Sequence, residues 1–156
     1  MTELPQPRRD APGATVLLVE DDADHLELTL QALRESGITD NVAVVRDGVE
    51  ALDYLFARAD RAGHERVRPA LVLLDLRLPR LDGMELLRRL RSDARTRRTA
   101  IVVLTSSTDE RDRARAQELG AAFVSKGADF ERLRETIRRV WPGADPGYFP
   151  APEEKS

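Results

Sequence analysis

Short apolar runs alternate with longer amphipathic stretches through the central part of the chain. The runs are rich in β-branched residues and end at turn signals, which indicates strands, whereas apolar positions in the longer stretches recur with the spacing of a helix face. This alternation predicts an α/β fold with one doubly wound, five-stranded parallel sheet and right-handed crossovers. The predicted strands are roughly Thr15 to Val19, Val42 to Arg46, Ala70 to Leu74, Thr99 to Leu104, and Ala121 to Val124.

The stretches between the strands carry the start signals of helices. The first helix is predicted from about Ala23 to Ser36. Asp47 and Glu50 have the spacing of a capping box for the second helix, and Ser107 and Glu110 repeat that spacing before the fourth. The last helix has one core-facing stripe made of Phe130, Leu133, Ile137 and Val140.

Prolines mark both ends of the chain as loose segments around one domain. Residues 1–13 contain three prolines and predict a flexible leader, and residues 14–141 hold all the predicted strands and helices. Residues 142–156 predict a proline-rich tail, which is too short for a DNA-binding or catalytic output domain. Residues 58–68 predict an arginine-rich surface connection.

Composition narrows the class of protein. A chain of 156 residues with 41% hydrophobic and 34% charged residues is expected to form one ordinary domain with a real core. It has no cysteine, which excludes disulfides and thiolate metal sites, and its net charge of −3 argues against a nucleic-acid binder. No long apolar stretch or signal peptide is present, so we expect a cytoplasmic protein without a membrane anchor.

Polar side chains follow four of the predicted strands. Glu20 and Asp21 follow the first strand, Asp75 the third, Thr105 the fourth and Lys126 the fifth. The carboxyl ends of parallel strands meet at one edge of a sheet, where open α/β proteins place their ligands. Three crowded carboxylates repel one another unless a cation such as Mg²⁺ lies among them, and a carboxylate can attack phosphorus. The pattern therefore predicts a site for Mg²⁺ and a phosphoryl group, with Asp75 as acceptor.

Each of these residues also has a structural interpretation. Asp75 taken alone is equally consistent with a strand-end turn, and the acidic run is consistent with a helix N-terminus, the only role we expect for Asp22. Thr105 and Phe123 are also consistent with an ordinary strand threonine and a core phenylalanine. Lys126 is harder to explain as a chance surface residue, because only it and Lys155 are lysines among 25 basic residues. A compact ammonium fits a tight phosphate pocket better than a planar guanidinium.

Four segments give the chain a family resemblance. The sequences VEDD at 19–22, LLDLRLPRLDG at 73–83, LTSS at 104–107 and SK at 125–126 resemble the receiver domain of bacterial response regulators. The resemblance covers roughly residues 14–141 and implies a flavodoxin-like (βα)5 fold with strand order 2-1-3-4-5.

The resemblance also implies individual roles in the site. Asp75 would accept the phosphoryl group, and Asp21 and Asp75 would coordinate Mg²⁺ directly. Glu20 would reach the metal through water, and the backbone carbonyl of Arg77 would supply another oxygen. Lys126 would neutralise charge on the phosphoryl oxygens.

Thr105 and Phe123 match the switch positions of the resembled family. The threonine would move towards the phosphate and the aromatic ring would turn inward, which changes the surface of the fourth helix, fifth strand and fifth helix. Phe123 has no hydroxyl, so its switching would be expressed through burial alone. Gly127 stands where the family usually has proline after the lysine, and we therefore expect a trans Lys126–Gly127 peptide and a differently shaped loop.

The resemblance implies several partners. The phosphoryl donor would be a sensor histidine kinase or a histidine phosphotransfer protein. The long connection after the second helix, Gly127 and the Trp141-Pro142 ending are similar to stand-alone receivers associated with bacterial phytochrome kinases, a subgroup that tends to dimerise. In the first helix, Leu26 and Leu30 are candidates for docking the kinase, with a wide core stripe as the competing explanation.

The sequence thus favours a single-domain response regulator that is phosphorylated on Asp75 and signals through a changed surface. It would not be an enzyme beyond its own phosphorylation and slow dephosphorylation. Two alternatives remain: a phosphatase with an aspartyl-phosphate intermediate, and a receiver-like interaction module that is not phosphorylated. Such phosphatases usually carry a second acid two residues after the nucleophile, where this chain has Arg77.

Overall fold

The computed structural model describes residues 16–38, 42–57, 69–106, 110–126 and 130–141. Within these residues five parallel strands form one sheet in the order β2-β1-β3-β4-β5. The predicted fold class and strand order are confirmed. The strands are β1 Val16–Val19, β2 Val42–Val45, β3 Leu71–Asp75, β4 Ala100–Thr105 and β5 Ala122–Ser125.

Helices follow the strands and cover both faces of the sheet. Two hydrophobic clusters lie on opposite faces: Leu17 and Val19 belong to one, and Val16 and Leu18 belong to the other. β1 is therefore buried on both sides, as its apolar sequence requires. Among the described residues, no helix has the length and apolar character needed to cross a bilayer. The helices are α1 Ala23–Glu35, α2 Gly48–Leu52, α3 Gly83–Ser92, α4 Glu110–Glu118 and α5 Phe130–Val140.

The second helix differs from the regular helix that the sequence predicts. α2 has one short α-helical segment and continues as a π-helical turn over Asp53–Ala57. Within that turn Tyr54 and Leu55 are both buried in the core, while Phe56 is partly buried against it. The guanidinium of Arg95 lies 4.9 Å from the centre of the Phe56 ring and covers it. This packing between distant segments is absent from the local periodicity, which is why the change of helix type was not predicted.

The predicted cap of α2 by Asp47 is confirmed, and Glu50 also binds the backbone before the helix. Asp47 Oδ1 accepts a hydrogen bond from the Glu50 N–H at 2.8 Å, and Glu50 Oε1 accepts one from the Arg46 N–H at 2.9 Å. Asp22 caps α1 in the same way, since its Oδ1 accepts from the Asp24 N–H at 2.9 Å. The second predicted box depends on Ser107, which lies outside the described residues, as do the leader, the arginine-rich connection and the tail.

Arg91 connects α3 to the end of α4 and to the turn before β4. Its Nε donates to the Leu119 carbonyl at 2.6 Å, and its Nη1 donates to the Thr99 carbonyl at 2.7 Å. Two further bonds reach the carbonyls of Arg97 at 2.9 Å and Gly120 at 3.2 Å. Burial lowers the pKa of this guanidinium. One side chain thus holds together three segments that follow one another along the chain.

Replacing Arg91 by methionine should therefore destabilise the fold by about 2–3 kcal/mol, because partly buried carbonyls would lose their donor. Urea denaturation followed by fluorescence of the single tryptophan, Trp141, measures this free energy. Arg88→Met in the same helix is the matched control, since Arg88 is exposed and its ion pair with Glu85 lies along the surface of the helix. Equal losses in both variants would contradict the structural role of Arg91.

Candidate functional site

The sheet brings the predicted strand-end residues to one edge. Val19 is paired with Leu74 in the register of β1 and β3, so the next residues, Glu20 and Asp75, emerge side by side. Thr105 ends β4 and lies opposite Ser125 of β5. A backbone hydrogen bond of 2.8 Å from the Lys126 N–H to the Thr105 carbonyl continues this pairing. Four separate segments therefore meet at one place, as the parallel arrangement requires.

Lys126 forms the centre of this site. Its Nζ lies 2.9 Å from Glu20 Oε2 and 2.9 Å from Asp75 Oδ2, and it donates a hydrogen bond to each. The Glu20 and Asp75 side chains are only 1% and 3% exposed, so one ammonium is shared between two carboxylates that have almost no access to water. Leaving either carboxylate buried without this partner would be strongly unfavourable.

The environment shifts the protonation of these groups. Burial is the main cause that raises the pKa of Glu20 from 4.5 to about 7, the Lys126 hydrogen bond opposes this rise, and the Asp75 charge adds to it. Burial would lower the pKa of Lys126, but its hydrogen bonds to Glu20 and Asp75 outweigh burial and raise it. The site thus holds more negative charge than one ammonium fully compensates.

The acidic residues fit a divalent cation. Glu20, Asp21 and Asp75 each offer one carboxylate oxygen, and these oxygens lie within 4.8 Å of one another. Glu20 Oε1 is buried and finds no hydrogen-bond partner among the described residues. Asp21 is exposed at the mouth of the site. Carboxylate oxygens with an unsatisfied lone pair are the ligands that Mg²⁺ and similar hard cations prefer.

The loop after β3 is fixed directly to the proposed acceptor. The Arg77 N–H donates to Asp75 Oδ1 at 3.0 Å, which orients the carboxylate, and the Gly83 N–H donates to the Leu76 carbonyl at 3.0 Å. A Cβ on Gly83 would lie 2.4 Å from the Asp75 carbonyl oxygen, so only glycine allows α3 to begin this close to the site. The sequence shows an Asp-Gly pair here but not the close approach that makes the glycine necessary.

Thr105 and Phe123, the predicted switch residues, lie at the end of β4 and within β5. Thr105 is fully buried, and Phe123 is partly buried against the cluster on the α3 side of the sheet. The Arg113 guanidinium of α4 lies 4.6 Å from the centre of the Phe123 ring, within range of a cation–π interaction. Sequence reasoning missed Arg113, because α4 is a highly charged helix in which no single arginine stands out.

Leu26 and Leu30, the predicted docking residues, are partly buried and pack against the cluster that α1 shares with α5. Leu28 on the same helix is 37% exposed. Core packing therefore explains the buried part of both side chains, and the docking role of Leu26 and Leu30 stays a prediction. Gly127 lies outside the described residues, so the geometry of the Lys126–Gly127 peptide also stays a prediction.

The fold and this site define the class of protein. The family described as the response regulator receiver domain matches residues 16–138. The chain belongs to that family, whose members act in two-component signal transduction.

Several proteins resemble the chain over most of its length. It is 39% identical to the probable methanogenesis regulatory protein FilR2 of Methanothrix harundinacea, over 80% of this chain and 79% of FilR2. It is 31% identical to the response regulator Rcp1 of Synechocystis, over 83% and 87% of the two chains.

Solved structures agree with this relationship. The bacteriophytochrome response regulator RtBRR is 44% identical, with a TM-score of 0.70 over 83% of this chain and 78% of its own. The Mn²⁺-bound form of Rcp1 is 29% identical, with a TM-score of 0.71 over 87% and 98% of the two chains. The chain is therefore homologous to response regulators of the phytochrome-associated kind.

The raised pKa of Glu20 predicts a pH-dependent stability in metal-free buffer. The folded protein binds this proton more tightly than the unfolded chain, so the contribution is fully present below about pH 4.5 and is lost as the pH rises through about 7. Relative to Glu20→Gln, the free energy of unfolding of the wild type should fall by up to about 3 kcal/mol over this range. Urea denaturation at a series of pH values measures it, and parallel profiles for the two proteins would contradict it.

Proposed function

We propose that Asp75 accepts a phosphoryl group from a phosphohistidine and that Lys126 and a divalent cation compensate the charge. The observation that carries this proposal is the Lys126 ammonium held at 2.9 Å from both Glu20 and Asp75 in a nearly closed site. Such an arrangement holds the Asp75 carboxylate oxygens in place for attack on phosphorus. Membership of the receiver family supports the same reaction.

The transfer exchanges one bond for another. A carboxylate oxygen of Asp75 forms the new P–O bond while the P–N bond of the phosphohistidine breaks, and the imidazole nitrogen keeps the bonding electron pair and takes up a proton. The Arg77 N–H holds Asp75 Oδ1, and Lys126 holds Oδ2, so both oxygens are oriented before the donor arrives. Lys126 is the group that can then follow the negative charge onto the phosphoryl oxygens.

We propose Mg²⁺ as the cation, held by Asp21 and Asp75 with Glu20 in support and the Arg77 carbonyl as a further ligand. When bound, Mg²⁺ supplies positive charge against the phosphoryl oxygens in the transition state. The unsatisfied Glu20 Oε1 and the cluster of three carboxylates support this assignment. The relative Rcp1 has a Mn²⁺-bound form, which supports a divalent ion as the ligand of this chain.

The proposed output is a change at Thr105 and Phe123. Thr105 is buried beside the site at the end of β4, where a hydroxyl can be drawn to a phosphoryl oxygen. Phe123 is covered by Arg113, so an inward turn of the ring would release this guanidinium to solvent. The signal would then be read as a change in the position of a positive charge on the surface of α4 as well as a change in burial.

The partners proposed for this chain follow from its relatives. RtBRR is named as a bacteriophytochrome response regulator, which supports a phytochrome-type histidine kinase as donor. The predicted homodimer and the cytoplasmic location stay predictions. A phosphatase is not favoured, because the residue two positions after Asp75 is the exposed Arg77 rather than an acid.

Labelling with a small phosphodonor and Mg²⁺ tests the acceptor assignment. The wild type should gain up to one acid-stable, base-labile phosphoryl group per chain, and Asp75→Asn should gain none, because the amide cannot form the acyl phosphate. Asp53→Asn is the matched control, since Asp53 is an exposed acid of the helical turn after α2. Unchanged labelling of Asp75→Asn would exclude the proposed acceptor, and rapid multiple turnover by the wild type would favour the phosphatase.

Docking through α1 is tested by comparing two donors. Leu26→Ala and Leu30→Ala should slow transfer from a histidine kinase that phosphorylates the wild type by about tenfold, because truncated contact residues weaken binding. Labelling by a small donor should stay unchanged and reports that the site is intact. Leu28→Ala on the exposed face of the same helix is the control. If both donors label the variants as fast as the wild type, these leucines have no docking role.

A further inference from the structure

The loop between β3 and α3 is held in its middle by the first turn of α2. Arg80 Nε donates to Asp47 Oδ2 at 3.0 Å, and Arg80 Nη2 donates to Asp47 Oδ1 at 3.1 Å. The Asp47 side chain is only 15% exposed and also caps α2 through the Glu50 N–H. This forked pair joins two residues that are 33 positions apart in the sequence.

The backbone of Arg80 adopts a conformation that is unfavourable for a residue with a side chain. Arg80 has a φ of 69°, in the left-handed region, and it is the one non-glycine residue there among the described residues. Residues with a Cβ adopt this conformation only at a cost, which glycine would avoid. A bidentate bond between guanidinium and carboxylate offsets that cost and fixes the loop in one orientation.

A second contact brings the loop and α2 together. A Cβ on Gly48 would lie 2.5 Å from the Cβ of Leu81 and 2.7 Å from its carbonyl oxygen. The loop backbone therefore rests directly on the first residue of α2, and any larger residue at position 48 would push it away. Asp47 and Gly48 together form a seat for the middle of the loop.

The same loop carries groups of the proposed metal site. Its first residues include Arg77, whose N–H binds Asp75 Oδ1 at 3.0 Å and whose carbonyl is the proposed metal ligand. Its last residue precedes Gly83, which is pressed against the Asp75 carbonyl. Both ends are thus attached to the acceptor strand, and the seat on α2 determines where the middle of the loop lies.

We infer that Arg80 and Asp47 form a positioning pair that holds the loop carrying Arg77 in the geometry needed to bind the divalent cation. This inference rests on the proposed function of the site. Arg80 and Asp47 bind each other, and their effect on the proposed metal ligands is exerted through the loop backbone. Outer partners of metal ligands commonly change metal affinity in this way.

Two substitutions that remove opposite charges test the pair. Arg80→Gly removes the guanidinium and also the backbone strain, and Asp47→Ser removes the carboxylate but keeps a side chain that can cap α2. If only long-range charge mattered, Arg80→Gly would tighten Mg²⁺ binding and Asp47→Ser would weaken it. The positioning role predicts that both weaken it, by about tenfold.

Mg²⁺ affinity measured by isothermal titration calorimetry is the main readout. Amide hydrogen exchange of Arg77 and Leu81 in the metal-free protein is the second, and it should be faster in both variants. The double variant should be no weaker than either single one, because each change breaks the same pair. Arg88→Gln is the control, since it removes an arginine of an exposed ion pair on α3.

The outcomes separate this inference from the proposed function. If the wild type binds Mg²⁺ and is labelled on Asp75 but the variants match it in affinity and exchange, the positioning role is wrong and the proposed function stands. Opposite changes of affinity in the two variants would also overturn the positioning role and leave simple electrostatics. Failure of the wild type to bind Mg²⁺ would overturn the metal assignment itself, and the positioning role with it.

Discussion

The structure depends above all on one ammonium between two buried carboxylates. Glu20 and Asp75 lie at the ends of neighbouring strands and are almost inaccessible to water, so burying either carboxylate there without a partner would be strongly unfavourable. Lys126 allows both to be present at the same edge of the sheet. This arrangement sets the raised pKa of Glu20, leaves one of its oxygens unsatisfied and creates the demand for a cation. Stability and chemistry at this edge therefore have the same physical origin.

A surrounding framework keeps this edge in register. On one side the β3–α3 loop is attached to Asp75 and seated on α2, and Gly83 permits α3 to start against the backbone of Asp75. On the other side Arg91 binds carbonyls at the end of α4 and before β4. The end of α4 near Leu119 is thereby anchored, while the Arg113 contact to Phe123 involves a single ring face.

Local sequence signals were sufficient to predict most of the strands and the residues at their carboxyl ends. The strands, the Asp47 cap and the residues that follow each strand depend on nearby sequence, and strand order came from the resemblance to receivers. The π-helical turn, the Arg113–Phe123 contact and the Arg80–Asp47 pair were not predicted. Each depends on side chains brought together from distant segments, and in a chain this rich in arginine no spacing distinguishes the arginine that forms a specific contact from those that face water.

The residues of the site are far apart in the sequence, and this separation determines when the site can form during folding. Lys126 reaches back 106 positions to Glu20 and 51 positions to Asp75, so the three groups meet only after the last strand has joined the sheet. A chain in which β5 is not yet paired contains the Glu20 and Asp75 carboxylates without the ammonium held between them. The site is thus complete only when β5 is paired with β4, so an incompletely folded molecule lacks the arrangement on which the proposed phosphoryl transfer depends.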